Sequence, residues 1–126
     1  MRQHTVIGAR IIAAAPELLP VADIVRSSHE RWDGDGYPDR LAGDAIPLGA
    51  RIVAVCDSFD AMTTDRAYRA AMAVDDAIAE LERCAGSQFD PQVVSAFRAV
   101  LAAEASAPAG DGAEPRLGPR VSPTAA

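Results

Sequence analysis

An all-α fold is what this sequence predicts. Apolar residues recur at i, i+3 and i+4 in several separate segments. No segment alternates apolar and polar residues with the period of two that a half-buried strand needs. Prolines and glycines stand where helices would begin and end. Together these predict a bundle of about five helices, with no internal repeat.

The first helix is expected over about His4 to Ala15, carried by Val6, Ile7, Ile11 and Ile12. Met1-Arg2-Gln3 offers no capping side chain, so the chain is expected to start inside a helix. Pro16 and Pro20 punctuate the connection to a second helix, about Val21 to His29, with Val21, Ile24, Val25 and Ser28 along one side. Residues 31 to 46 read as loop. Pro47 suits an early helical position. The third helix, about Leu48 to Met62, places Ile52, Val55, Phe59 and Met62 on one face. Thr63-Thr64-Asp65 ends it. A fourth helix is expected over about Asp75 to Ala85, closed by Gly86. Asp90-Pro91 reads as a cap followed by a first-turn proline, opening a fifth helix to about Ala103. The domain is assigned to residues 1–104. Residues 105–126, rich in Ala, Pro and Gly without periodicity, are expected to be a disordered tail.

The bulk numbers bound the reading. At 126 residues there is one domain at most. The hydrophobic fraction is 49%, but three Phe, two Tyr and one Trp leave few large side chains for a core. A domain of this size has a narrow stability margin. The net charge of −6 and the lack of a basic patch argue against duplex nucleic acid. There is no Lys; all twelve basic residues are Arg, which excludes a P-loop lysine or a lysine nucleophile. Arg grips phosphate in a bidentate fork, so small anionic ligands remain open. Cys56 and Cys84 follow no motif and read as buried small hydrophobes in a reducing cytoplasm. No signal peptide or long apolar run appears, so the chain is expected to be soluble and cytoplasmic, with no membrane contact.

Residues that carry chemistry lie far apart in sequence. His4, His29 and Asp57, with Asp60 nearby, are candidate metal donors, at spacings of 25 and 28 residues. That spacing is no local metal motif. Each also has a plain structural reading: an exposed terminal histidine, a helix-end cation, and a solvated carboxylate on the face opposite Val55 and Phe59. If Asp57 is instead buried beside its apolar neighbours, it needs a cation or strong donors. Arg66, Tyr68 and Arg69 are either a phosphate-gripping group or an ordinary charged turn. In the run His29-Glu30-Arg31-Trp32-Asp33-Gly34-Asp35-Gly36-Tyr37-Pro38, Gly34 and Gly36 permit positive φ and Pro38 stiffens the chain.

That run resembles the signature of the HD-GYP family, a branch of the metal-dependent HD phosphohydrolases. His4-Thr5-Val6-Ile7-Gly8 is similar to the family's His-x-x-x-Gly helix. Arg51 through Thr63, including Asp57, is similar to its metal-carboxylate helix. Asp65-Arg66-Ala67-Tyr68-Arg69 and Gln88-Phe89-Asp90-Pro91 follow in family order, so the resemblance spans about residues 1 to 101. It implies a partial HD-type domain, whose His-Asp pair is expected upstream of the His4 helix, before this chain begins.

The resemblance also implies metal-dependent hydrolysis of cyclic di-GMP. His4, His29 and Asp57 would be metal ligands, with iron or manganese as the divalent metal. Arg66, Tyr68 and Arg69 would contact phosphate and guanine. Where the family carries a further metal-binding histidine, this chain has Ser28, a poor ligand. Three donors imply one loosely held ion at best, or none, so the chain alone is expected to lack meaningful phosphodiesterase activity. The loop residues Trp32, Gly36, Tyr37 and Pro38 would serve partner recognition, notably of diguanylate cyclase domains. A homodimer through the face left open by absent helices is a further expectation.

Overall fold

The computed structural model describes residues 3–106. Its five helices are α1 (His4–Ala13), α2 (Leu19–Arg26), α3 (Leu48–Thr63), α4 (Val74–Arg83) and α5 (Pro91–Ser106). Short 3-10 turns at Pro16–Leu18 and Gly43–Ala45 precede α2 and α3. No strand occurs among the described residues; isolated bridges join Arg66 to Arg69 and Ala85 to Phe89. The all-α expectation holds.

Helix boundaries differ from the sequence reading for local reasons. α2 begins earlier, because Pro20 fits its first turn, where an amide hydrogen has no helical acceptor. It also ends earlier. The Ser28 hydroxyl donates to the Val25 carbonyl at 2.8 Å, competing with the backbone for that acceptor. His29 therefore lies in a turn beyond α2, not within it. Pro47 occupies the position before α3, with extended ψ, and its carbonyl accepts the Arg51 N–H. α4 stops at Arg83. The Cys84 carbonyl then accepts N–H groups from Ser87, Gln88 and Phe89, a reversal made possible by Gly86 at φ +89°. At α5 the reading holds: Asp90 Oδ1 accepts the Gln92 N–H at 2.8 Å, and Pro91 opens the helix. α5 runs to Ser106, so residues 105 and 106 are helical. The rest of the expected tail, 107–126, lies outside the described residues.

The chain packs as two units. α1 lies on α2, while α3, α4 and α5 surround the main core, and α2 touches α3 between the units. Val55, Leu81, Phe89 and Val94 form that core, with Phe59, Met62, Cys84 and Phe97 against them. The Phe59 and Phe97 rings meet edge-on at 5.0 Å. Burying side chains such as Val55 and Leu81 contributes roughly 2 kcal/mol each.

Three side-chain expectations fail. In α1 the buried residues are Thr5 and Ala9, while Ile7 and Ile11 face outward. The short α2 partner covers only the small-residue side of α1. Cys56 is exposed, one residue past buried Val55 and turned away from the core, whereas Cys84 is half-buried against it. Ile52 is exposed as well. With Leu48, Val93, Phe97 and Val100 it lines an open apolar groove of about 500 Å³ between α3 and α5.

One ion pair joins these parts. Arg51 donates from Nη1 to Asp90 Oδ2 at 2.7 Å and from Nε to the Ile46 carbonyl at 2.9 Å. Its guanidinium also lies 6.0 Å from the Trp32 ring centre. Asp90 is buried. Removing one partner leaves a charge or polar group without compensation. Asp90→Ala should therefore lower stability by about 3 kcal/mol, measured as a drop in urea midpoint with unchanged slope. Asp90→Asn should cost less, because Asn still caps α5.

Candidate functional site

The site is built around the turn after α2. Ser27 caps that helix, and the chain leaves through Ser28 and His29 into the loop Arg31–Leu41. Glu30 is buried, and its carboxylate accepts two backbone hydrogen bonds, from the Asp39 N–H at 2.7 Å and the Leu41 N–H at 2.9 Å. The other edge of the loop is bonded to the turn between α4 and α5. Trp32 N–H reaches the Gln88 carbonyl and Asp33 N–H the Ser87 carbonyl, at 3.2 and 2.8 Å. Arg26 adds a two-pronged ion pair to Asp39, at 2.8 and 2.9 Å, which holds the Asp39 carboxyl below the usual carboxylate range. Arg31 and the Asp35 N–H similarly hold the Asp33 carboxyl down to about 2.

The two loop glycines act differently. Gly34 takes a positive φ of +87°, as expected. Gly36 does not; it is needed because the backbone approaches too closely for a side chain. A Cβ there would lie 2.4 Å from the Arg31 nitrogen and 2.6 Å from the His29 carbonyl oxygen. This close return lets the Tyr37 N–H reach the His29 carbonyl at 3.3 Å and lays the Tyr37 ring on the His29 ring. The rings are stacked, 5.3 Å apart and 10° from parallel.

The His4 ring, from the first turn of α1, meets the His29 ring edge-on at 4.9 Å. Asp57, on α3, lines a small cavity of about 120 Å³ together with Ser28, His29 and Ser58. Partial burial pushes the His29 imidazole below its ordinary 6.5; His4 lowers it further, and the Asp57 carboxylate opposes the shift. The three sequence candidates thus converge in one region. Asp57 is exposed, so its burial does not demand a cation, contrary to one reading of its neighbours. Asp60 accepts only a long contact from the Thr64 hydroxyl, at 3.5 Å.

Two imidazoles and a carboxylate are apt donors for a divalent ion. Yet among the described residues no three His, Cys, Asp or Glu side chains gather into a group spaced to hold one. The donors fit a metal by chemistry and not by their mutual placement.

The remaining candidates fall in two places. Arg66, Tyr68 and Arg69 form a tight exposed turn past the end of α3. Arg66 and Arg69 exchange backbone hydrogen bonds at 2.8 and 3.1 Å, and Tyr68 is 82% exposed. The Arg69 guanidinium donates to the Ala61 carbonyl at 2.9 Å, closing the end of α3. In the loop, Trp32, Tyr37 and Pro38 are half-buried and Gly36 is buried. Of the two readings of these aromatic side chains, loop packing or a partner surface, their half-burial fits the packing one. The exposed rim of the loop is charged: Asp33, Asp35, Asp39 and Arg40.

Sequence reasoning missed Glu30 and Arg51 as structural charges, and read Asp90 as the cap of α5 but not as the buried partner of Arg51. Arg51 had a legible signal, since it stands one helical turn before Val55 on an apolar face. Glu30 had none beyond its place after His29.

A model of the HD domain family matches residues 1–93. This chain belongs to the HD domain family. The HD-GYP resemblance holds in the curated relatives of this HD domain. A cyclic di-GMP phosphodiesterase of Thermotoga maritima is 46% identical over 99 residues, covering 77% of this chain and 27% of the relative. A cyclic di-GMP phosphodiesterase response regulator of Xanthomonas campestris is 45% identical over 99 residues, with coverage of 77% and 26%. A 3′3′-cGAMP-specific phosphodiesterase of Vibrio cholerae is 38% identical over 96 residues, with coverage of 75% and 18%. The crystal structure of a cyclic GMP-AMP specific phosphodiesterase from Vibrio cholerae superposes with a TM-score of 0.70 at 26% identity, over 80% of this chain and 23% of that one. The chain thus spans about a quarter or less of each of these relatives. No helix among the described residues is long and apolar enough to cross a membrane.

The electrostatics of this HD domain give a titration test. A lowered His29 midpoint means the folded chain binds fewer protons than the unfolded chain below pH 6.5. Its contribution to stability is therefore complete above 6.5 and is lost as pH falls through the folded midpoint. By NMR on metal-free protein, His29 should titrate below 6.5. Asp57→Asn should lower that midpoint further, and His4→Ala should raise it. Gly36→Ala should destabilise the chain by more than about 2 kcal/mol, because backbone rather than a movable side chain blocks the new methyl; thermal unfolding reads this out.

Proposed function

We propose that this HD domain is part of a cyclic-dinucleotide phosphodiesterase of the HD-GYP type. By the family resemblance His4, His29 and Asp57 would be this chain's share of the donors to a divalent metal, iron or manganese, an incomplete set as they stand, and the Arg66–Arg69 turn binds the dinucleotide. One observation carries the reading: the His4 and His29 rings meet at 4.9 Å, with Asp57 beside His29, although the three residues come from separate parts of the chain. The relatives supply the substrate class, since they act on cyclic di-GMP or 3′3′-cGAMP. Bound metal would supply charge stabilisation at the scissile phosphate. The chain's own residues do the rest. Lowered basicity keeps the His29 nitrogens available as donors at neutral pH. Arg66, whose guanidinium reaches solvent, grips phosphate oxygens. Tyr68 offers an exposed ring for a base to stack on.

We further propose that these 126 residues alone bind without efficient turnover. The family resemblance implies an imidazole where this chain has Ser28, and the remaining donors do not close around an ion. Partner recruitment through the Gly-Tyr-Pro loop draws less support, because Trp32, Gly36, Tyr37 and Pro38 are packed inward.

Calorimetry with cyclic di-GMP tests the binding turn. Arg66→Ala should weaken affinity at least tenfold, one charge-assisted contact being worth roughly 1.5–3 kcal/mol. Arg69→Ala should weaken it less, since that guanidinium already serves the end of α3. Ser28→His should tighten Mn²⁺ binding, measured by competition with a metal indicator. Turnover by the unaltered chain with Mn²⁺ or Fe²⁺ at the rate of full-length relatives would overturn the proposal of inactivity.

A further inference from the structure

We propose that Glu30 is a positioning residue: through its two backbone hydrogen bonds it fixes the Tyr37 ring on His29 and so sets the orientation of that imidazole. Three observations point the same way. The Glu30 carboxylate is buried and meets Asp39 N–H and Leu41 N–H on its two separate oxygens. Between those donors, Arg40 takes a left-handed φ of +54°, which a side chain with a Cβ seldom adopts. The backbone is bent there so that two N–H groups two residues apart converge on one anion, the geometry of an anion nest. Finally, the segment running from Glu30 to this anchor returns through Gly36 against the Arg31 nitrogen and the His29 carbonyl. A lift of the loop would carry Tyr37 off His29, and the anchored carboxylate opposes that lift.

A carboxylate is required here rather than any acceptor. Glutamine offers one oxygen and one NH₂ group, so one of the two backbone donors would face another donor. Arg26 reinforces the anchor from outside by pairing with Asp39, but that pair is solvent-exposed and weaker. Glu30 is adjacent to His29 yet directs its oxygens away, into the loop backbone. It acts on the imidazole only through Tyr37. The functional weight of this arrangement rests on the reading of His29 as a metal donor.

The test uses the full 126-residue chain, metal-free, with NMR of the His29 ring. Tyr37→Leu defines the His29 ring signals without the stacked neighbour. Glu30→Gln should move those signals at least half way toward the Tyr37→Leu positions while the helical circular dichroism is retained. Unmoved His29 signals in a folded Glu30→Gln chain would overturn the proposal, even if melting temperature falls. Should that variant not fold, amide exchange in the unaltered protein decides. The Asp39 and Leu41 amides must exchange more slowly than those of Arg40 and Ala42; equal rates sink the idea. Adding Mn²⁺ to the unaltered chain separates the two readings. Sharp His29 signals in its presence would refute the metal-donor role, while the ring displacement in Glu30→Gln still judges the positioning role.

Discussion

The arrangement depends on a guanidinium held at the junction of three pieces. Arg51 rises from the first turn of α3, and its reach is spent on the Ile46 carbonyl, the Asp90 carboxylate and the face of Trp32. Those partners belong to the turn before α3, the start of α5 and the loop after α2. Burying a charge pair is costly in itself, and its attraction offsets that cost only when the remaining donors and acceptors are also used. Here Asp90 spends its second oxygen capping α5, so both charged groups are well occupied. With few large apolar residues available, a polar clamp does work that a bigger domain would leave to its core.

From that clamp outward the site acquires its shape. Trp32 and Asp33 bond to the turn at Ser87 and Gln88, which Phe89 and Asp90 connect to the core. The loop is held on this edge by backbone bonds and on the other by the Glu30 carboxylate. A segment with two glycines is thereby made stiff. Its consequence is local: Tyr37 lies flat against His29, and His29 is left facing His4 and the cavity shared with Asp57. The electrostatics agree with the geometry, since partial burial and a second imidazole keep His29 less basic while Asp57 limits the effect.

Much of the site was legible as residue types and little as arrangement. His4, His29 and Asp57 were identified as candidates and do converge. That His29 sits in a turn was not legible, because the Ser28 hydroxyl decides it by taking the Val25 carbonyl. Gly36 read as a source of positive φ, whereas close backbone approach is its role; one glycine letter encodes both. The aromatic loop read as a surface for partners, but Trp32 and Tyr37 are occupied by Arg51 and His29. Exposure of an aromatic ring depends on what folds back over it, which periodicity cannot show.

The sequence by itself determined the helical class, the order of five helices, the Asp90-Pro91 start of α5 and membership in the HD domain family. These follow from local spacing, capping chemistry and a distinctive run of residues, all properties of neighbours in the chain. Tertiary structure alone decided that Glu30 and Asp90 are buried, that α1 turns Ile7 and Ile11 outward, and that the three candidate donors share one region without closing around an ion. Those outcomes depend on contacts between residues tens of positions apart, where burial and charge pairing outweigh local preference.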